Sequence, residues 1–274
     1  MEIALLPLEI GRFFFLPGRN LGGLFVVAEA ERGVLQRTLS LCAKNNARLK
    51  HLILSVARST GETKTFLIFL DMTDCDVSLE GIAEEIQNLK AVKDVKVIKQ
   101  QAGGFISDTV SNMLVVGGER AIILRKTLCE SFIRGIRERF GSAGEAFLYY
   151  NGLEMGMNAA KDHVEMGKKI GLIDPAQICK RMGATIFTAI GFGKMEIEKL
   201  TLNPPYALTH VYNSFECQLA PKTQIKPYSH FIRGIIAGYL TTVLNVKMKV
   251  EETECVAKGD QNCTFEAKTE NQLL

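Results

Sequence analysis

The stretch that most constrains this chain is its C-terminal run from Val250 to Ala267. It reads as two strand arms around the turn residues Gly259, Asp260, Gln261 and Asn262. Each arm carries one cysteine, Cys255 and Cys263, so closing the hairpin brings two sulfurs near each other. Glu252 lies three residues before the first of them. Thiolates joined by a carboxylate or an imidazole suit a zinc ion. Two other readings stay open on spacing alone. The cysteines could be small buried apolar residues, or a disulfide, which a reducing cytosol disfavours. The pleat adds a condition: Cys255 shares its strand face with Thr253 and Glu251, so a Glu252 ligand requires a bulge or a strand end there.

Written as E-x-x-C-x-A-x-G-D-x-x-C-x-F, the segment Glu252 to Phe265 resembles the closing motif of the 4-vinyl reductase family. In that family a helix with spaced glycines precedes the motif. Here Ser229 to Leu240, with Gly234 and Gly238, fills that place. The segment from Glu145 through Gly152 and Gly156 is also similar to the family's sequences. The resemblance covers roughly the last 155 residues, an ordinary domain size. It implies an α+β fold shared with TRAPP subunits. In zinc-binding relatives, including the sensor domains of phenol-responsive activators, a Cys five residues before the first helix glycine is a ligand. This chain has Ser229 there and His230 beside it. The implied metal set is therefore His230, Glu252, Cys255 and Cys263, holding a structural zinc at partial occupancy.

The chain has 274 residues, 47% hydrophobic and 23% charged, which suits two globular domains. A net charge of +3 is too weak to argue for a nucleic-acid surface. No stretch reaches about 18 uninterrupted apolar residues, so no membrane helix is expected. Met1 to Pro7 lacks the basic start and apolar core of a signal peptide. Seven cysteines, an odd number widely spaced, fit a reducing cytoplasm.

Residues 1–21 are expected to form an N-terminal arm, from the apolar runs Ile3 to Leu6 and Phe13 to Leu16. From Leu24 the pattern is regular. Strands are predicted over Leu24–Ala28, His51–Arg58, Thr63–Asp71 and Val92–Ile98, with a turn at residues 59–62. Helices are predicted over Val34–Asn46 and Val77–Leu89. The order β-α-β-β-α-β is the ferredoxin-like plait. Over residues 22–101 it resembles an ACT domain, with Gly33 at the first turn. That resemblance implies either an amino-acid-like effector at Gly33 or plain edge-to-edge dimerisation. Gln100 to Gly104 reads as the linker.

Residues 105–274 read as three helices, a strand pair, a helix and the closing hairpin. Helices are predicted over Glu119–Phe140, Ser142–Gly167, from Asp174-Pro175 onward, and Ser229–Leu244. Strands are predicted over Lys194–Leu202 and Ala207–Cys217. Gly234 and Gly238 are expected to admit a close neighbour. Tyr206, Leu208 and His210 share one strand face, which could line a ligand pocket. No catalytic constellation is present in the sequence: none of the four histidines sits in HExxH, and there is no P-loop or nucleophile elbow. The expectation is a cytoplasmic, homodimeric, non-enzymatic sensor for a small, mostly apolar or aromatic ligand. An enzyme or tetrapyrrole-handling factor, as the family's name suggests, and a protein-assembly module are the alternatives.

Overall fold

A computed structural model describes residues 7–56 and 63–269. The chain divides into two compact units, one reaching to Ile123 and one beginning at Leu124.

The first unit contains β1 (Phe13–Phe15), β2 (Leu21–Glu29), α1 (Val34–Lys44), β3 (Arg48–Val56), β4 (Thr63–Asp71), α2 (Leu79–Gln87), β5 (Val92–Lys99), β6 (Phe105–Ser107), β7 (Leu114–Val116) and β8 (Glu119–Ala121). Its main sheet runs β3-β4-β2-β5 with every pair antiparallel. This is the ACT-like plait expected from the element order. Both helices lie on one face, over Leu24, Val26, Phe66 and Ile68. Val34 and Cys42 of α1 and Ile82 and Ile86 of α2 face that core. Ser78 starts α2 by accepting from the Gly81 N–H at 3.1 Å. Gly33 adopts φ 81°, which only glycine takes freely, and it caps α1 without a side chain.

The opposite face of the sheet is covered too. β1 pairs antiparallel with β6, and this ribbon lays Phe14 and the fully buried Ile106 over Leu67, Phe69 and Ile98. Coverage on both sides explains why β4 reads as the unbroken apolar run Phe66 to Leu70. Phe13–Phe15 thus finds its partner beyond the Gln100–Gly104 turn, and β6 stays with the first unit. Gly104, at φ 72°, touches the ribbon so closely that a Cβ there would run into the Leu16 carbonyl. The apolar run Ile3 to Leu6 and the turn at 59–62 lie outside the described residues.

The second unit contains α3 (Lys126–Phe140), α4 (Ser142–Lys169), α5 (Pro175–Ile178), a π-helical turn (Cys179–Gly183), α6 (Ala184–Ala189), β9 (Lys194–Leu202), β10 (Pro205–Tyr212), α7 (His230–Leu244), β11 (Met248–Glu254) and β12 (Cys263–Thr269). The helix predicted from Glu119 begins only at Lys126. Gly117 and Gly118, both at positive φ, close a β7–β8 hairpin that takes Glu119–Ala121 as a strand. The sheet order is β11-β12-β10-β9, again all antiparallel. Asp174 caps α5 by accepting from the Gln177 N–H at 3.0 Å. The expected close approach at Gly234 and Gly238 is to α4. That helix meets α7 along Gly152, Gly156 and Ala160, and glycine faces backbone in both directions. A Cβ on Gly152 or Gly156 would strike the Phe231 or Ile235 carbonyl, and one on Gly234 or Gly238 the Tyr149 or Leu153 carbonyl.

Candidate functional site

The closing hairpin is built to aim side chains inward. β11 pairs with β12, and the register slips between Glu252 and Glu254. That bulge is what the pleat demanded for Glu252 and Cys255 to face the same way. Beyond Glu254 the arm leaves the sheet and folds into a short 3-10 turn, Val256–Lys258, closed by Gly259 at φ 105°. Asp260 accepts from the Cys255 N–H at 2.7 Å and fixes that turn.

Four donors converge there: Cys217, Glu252, Cys255 and Cys263 place one ligand atom each within 4.8 Å of one another. The Cys217 sulfur is 3.5 Å from that of Cys255 and 3.4 Å from that of Cys263. Around a tetrahedral zinc with metal–sulfur bonds near 2.3 Å, sulfurs sit about 3.8 Å apart. Glu252 anchors one oxygen on the Ser229 N–H at 2.9 Å, while its other oxygen is buried without a hydrogen-bond partner. An orphaned buried carboxylate oxygen beside three buried thiols is the donor set a divalent cation would satisfy. The electrostatics agree. Burial, with Cys255 beside it, pushes the Glu252 carboxyl up to about 8. Hydrogen bonds from Cys255 and Cys263 lower the Cys217 thiol, while those with Cys217 and Cys255 raise that of Cys263. So many acidic groups cannot all ionise together unless a cation balances them.

The sequence reading brought together Glu252, Cys255 and Cys263. It missed Cys217, which lies in the loop after β10, and it placed His230 where the structure does not. His230 opens α7 one residue after Ser229, and adjacent helical residues diverge by about 100°. Its ring turns to Glu145 at 3.7 Å and to Arg137 at 3.5 Å. Ser229 faces the sulfurs instead, with its hydroxyl 3.0 Å from Cys217. A buried clamp holds this loop. Arg137 of α3 donates to Glu216 at 2.5 Å and to the Tyr228 carbonyl at 2.7 Å. Glu216 accepts in turn from the Phe231 and Ile232 N–H groups at the start of α7.

A second feature lies between α4, the π-helical turn, α7 and the inner face of β9 and β10. It is a cavity of about 150 Å³ whose walls include Met155, Phe187, Met195, Ile235 and Leu240. Three polar side chains, His163, Thr209 and Tyr239, also line it, and no charged one does. Cys179 lines it as well, but burial pushes its thiol up to about 12, so it is an inert wall. The predicted pocket residues Tyr206, Leu208 and His210 are corrected here: they lie on the other face of β10. The buried set is Ala207, Thr209 and Val211. Tyr206 bonds Glu266 at 3.1 Å, and His210 bonds Glu198 at 2.6 Å and Thr264 at 3.0 Å, all on the outer surface. In the first unit a polar hollow lies beside Asn20, Ser78 and Gln100, and Gly33 is not among its walls.

Comparison with known proteins follows the same division. The family of the 4-vinyl reductase domain matches residues 209–269, from the inner strand through the cysteine hairpin. The protein MJ1460 of Methanocaldococcus jannaschii is 32% identical over 132 residues, covering 47% of this chain and 69% of that protein. MJ1642 of the same organism is 27% identical, covering 48% of this chain and 70% of its own. Among solved structures, the phenol-responsive sensory domain of the transcription activator PoxR superposes with a TM-score of 0.52 at 17% identity. It covers 58% of this chain and 81% of its own. The shared fold, the glycine-lined helix crossing and the closing cysteine hairpin, together with the identity to MJ1460, show that this chain belongs to the 4-vinyl reductase domain family.

Proposed function

We propose that the second unit is a sensor module that takes a small, mostly apolar molecule into the cavity between its helices and sheet. The observation that carries this reading is the cavity itself. It is apolar, free of charged walls and bounded by elements that the hairpin and the helix crossing hold in place. Its volume suits one ring: an apolar cavity of roughly 150 Å³ is known to stay dry and to accept benzene. That size favours a single-ring ligand over a four-ring macrocycle, and so speaks for a sensor rather than tetrapyrrole handling. The fold shared with a phenol-responsive sensory domain agrees with it.

In this reading zinc binds at Cys217, Glu252, Cys255 and Cys263. There it supplies the charge that lets the thiols ionise, and it ties the loop after β10 to the closing hairpin. This reading places the protein in the cytoplasm, where its odd number of widely spaced cysteines would stay reduced. The plait over residues 22–101, with its N-terminal arm, serves as a dimerisation or effector module. Exposed apolar residues on α3, Leu128 and Phe132, offer a further contact for a homodimer.

Two measurements on the purified protein test this. Native mass spectrometry combined with a thermal-shift screen of single-ring compounds is expected to find ligands that raise the melting temperature. Metal analysis is expected to find zinc, retained or restored on supplementation. Ligand-free protein with no shift across such a screen would defeat the sensor reading. A lack of zinc binding would defeat the metal reading alone.

A further inference from the structure

We propose that the outer face of the second sheet carries a further divalent-cation site, of the manganese-binding kind, formed by His210, Glu254, Asn262 and Thr264. It is separate from the thiolate cluster and does not depend on the zinc reading.

The hairpin that turns Cys255 and Cys263 inward turns their neighbours outward. Thr264 of β12 lies opposite His210 of β10 on one side and opposite Glu254 of β11 on the other. Asn262 joins them from the end of the closing turn. The Thr264 Oγ1 is 2.6 Å from the Glu254 carboxylate, 2.8 Å from the Asn262 amide oxygen and 3.0 Å from His210 Nδ1. Nδ1 and the Asn262 oxygen are 3.4 Å apart. Neighbouring donors on an octahedral cation with bonds of about 2.1 Å stand about 3.0 Å apart, so these atoms are spaced as the ligands of one ion would be. Glu254, Asn262 and Thr264 all fall at open positions of the E-x-x-C-x-A-x-G-D-x-x-C-x-F motif. The site therefore belongs to this chain and not to the motif.

The protons point the same way. His210 Nε2 lies 2.6 Å from the Glu198 carboxylate. With the ring proton on that side, Nδ1 presents a lone pair toward Thr264. A carboxylate behind the imidazole is the arrangement that orients metal-bound histidines. Nδ1, the Asn262 oxygen and the Glu254 carboxylate are then three acceptors around one hydroxyl, which has a single proton to give. A cation satisfies the rest.

The charges agree. Other acids on these strands carry a lysine: Glu196 has Lys194 at 2.6 Å, Glu251 has Lys249 at 2.9 Å and Glu266 has Lys268 at 2.9 Å. Glu254 and Glu198 form no ion pair with a lysine or arginine among the described residues; the partner of Glu198 is His210. One imidazole thus sits between two carboxylates that lack a basic partner, a local surplus that a bound cation balances. One nitrogen and three oxygens, with no sulfur, suit manganese, and water completes the shell. The thiolate cluster has the opposite preference, so one hairpin sorts a soft ion to its inner side and a harder one to its outer side.

The test is Mn(II) binding to the tag-free, full-length protein supplied with one equivalent of zinc, followed by electron paramagnetic resonance. Wild type is expected to bind a single Mn(II) whose pulsed spectrum shows coupling to an imidazole nitrogen, which the thiolate cluster does not contain. His210→Phe is expected to remove that coupling and to weaken binding at least about tenfold, the lower end of what losing even an outer partner of a ligand costs. Glu254→Gln should weaken it likewise. Glu198→Gln alters only an exposed side chain behind the imidazole, leaves the fold intact and should still weaken Mn(II) about tenfold. No Mn(II) binding at millimolar concentration, bound Mn(II) without nitrogen coupling, or unchanged affinity in His210→Phe overturns the site. Protons on both imidazole nitrogens and a turned Asn262 amide would then hold the cluster together, and the zinc reading would stand untouched.

Discussion

Gly238→Ala and Gly135→Ala make the same chemical change in two helices of the second unit and are expected to move its stability in opposite directions. Replacing a helix-interior glycine by alanine gains about 1 kcal/mol from backbone entropy alone. At Gly135 in α3 the new methyl would meet nothing within 4 Å, so that gain should appear undiminished. At Gly238 in α7 the methyl would run into the Leu153 carbonyl of α4, with Met157 N only 2.9 Å away. Backbone atoms in the middle of two helices cannot swing aside as a side-chain end would, so the helices must separate. Overpacking of this kind costs about 1–3 kcal/mol, and rigid neighbours place it at the upper end. The net expectation is a loss of about 2 kcal/mol at Gly238 against a gain of about 1 kcal/mol at Gly135. For a unit of this size the first corresponds to a melting temperature lower by roughly 4–8 °C. Calorimetry or urea unfolding of the two variants checks it. Stabilisation by both substitutions would refute the close-crossing argument, because it would mean that α4 and α7 accommodate a methyl without moving.

Three further outcomes are expected. Cys217→Ser should weaken zinc binding in a chelator competition, and Ser229→Cys in that background should recover much of it, since the Ser229 hydroxyl lies 3.0 Å from the lost sulfur; no recovery would show that position 229 cannot reach the metal. The buried His163, with its pKa lowered by desolvation, binds its proton less readily folded than unfolded. Stability should therefore fall as pH drops below about 6.5, the ordinary histidine value, and His163→Phe should flatten the decline in urea midpoints between pH 7.5 and 5.5. Arg137→Met strands the fully buried Glu216 and should cost about 3–5 kcal/mol, with much of that loss recovered in Arg137→Met/Glu216→Leu.

The plait was legible because each of its elements carries its own signal. Period-two and period-3.6 patterns alternate between glycine and polar turns, and the order of elements then fixes the architecture. The hairpin ligands were legible for a similar reason: Glu252, Cys255 and Cys263 fall within one local motif. Cys217 was not. It lies 38 residues before Cys255, in an irregular loop whose path is set by the buried Arg137–Glu216 pair, and nothing in its local sequence announces the meeting. The pocket face of β10 was misread because both faces of that strand look usable. Tyr206, Leu208 and Tyr212 are the larger residues. Yet the sheet turns Ala207, Thr209 and Val211 inward, and the tyrosine and histidine tips go to polar partners outside. Alternation shows that a strand has two faces; the partner packed against it decides which one is inside. His230 failed for want of one angular step, since the first turn of α7 already holds it away from Ser229.

The β1–β6 ribbon has a consequence for how such a chain can assemble. A four-stranded plait ordinarily keeps one broad face of its sheet free for a neighbour. Here that face is roofed by Phe14 and Ile106, and the other by α1 and α2. Among the described residues of its own unit, the sheet is left with its two rims, β3 on one side and β5 on the other. Two copies that join through the sheet itself therefore meet strand to strand, and the product of such a union is a single eight-stranded sheet rather than a stack of two.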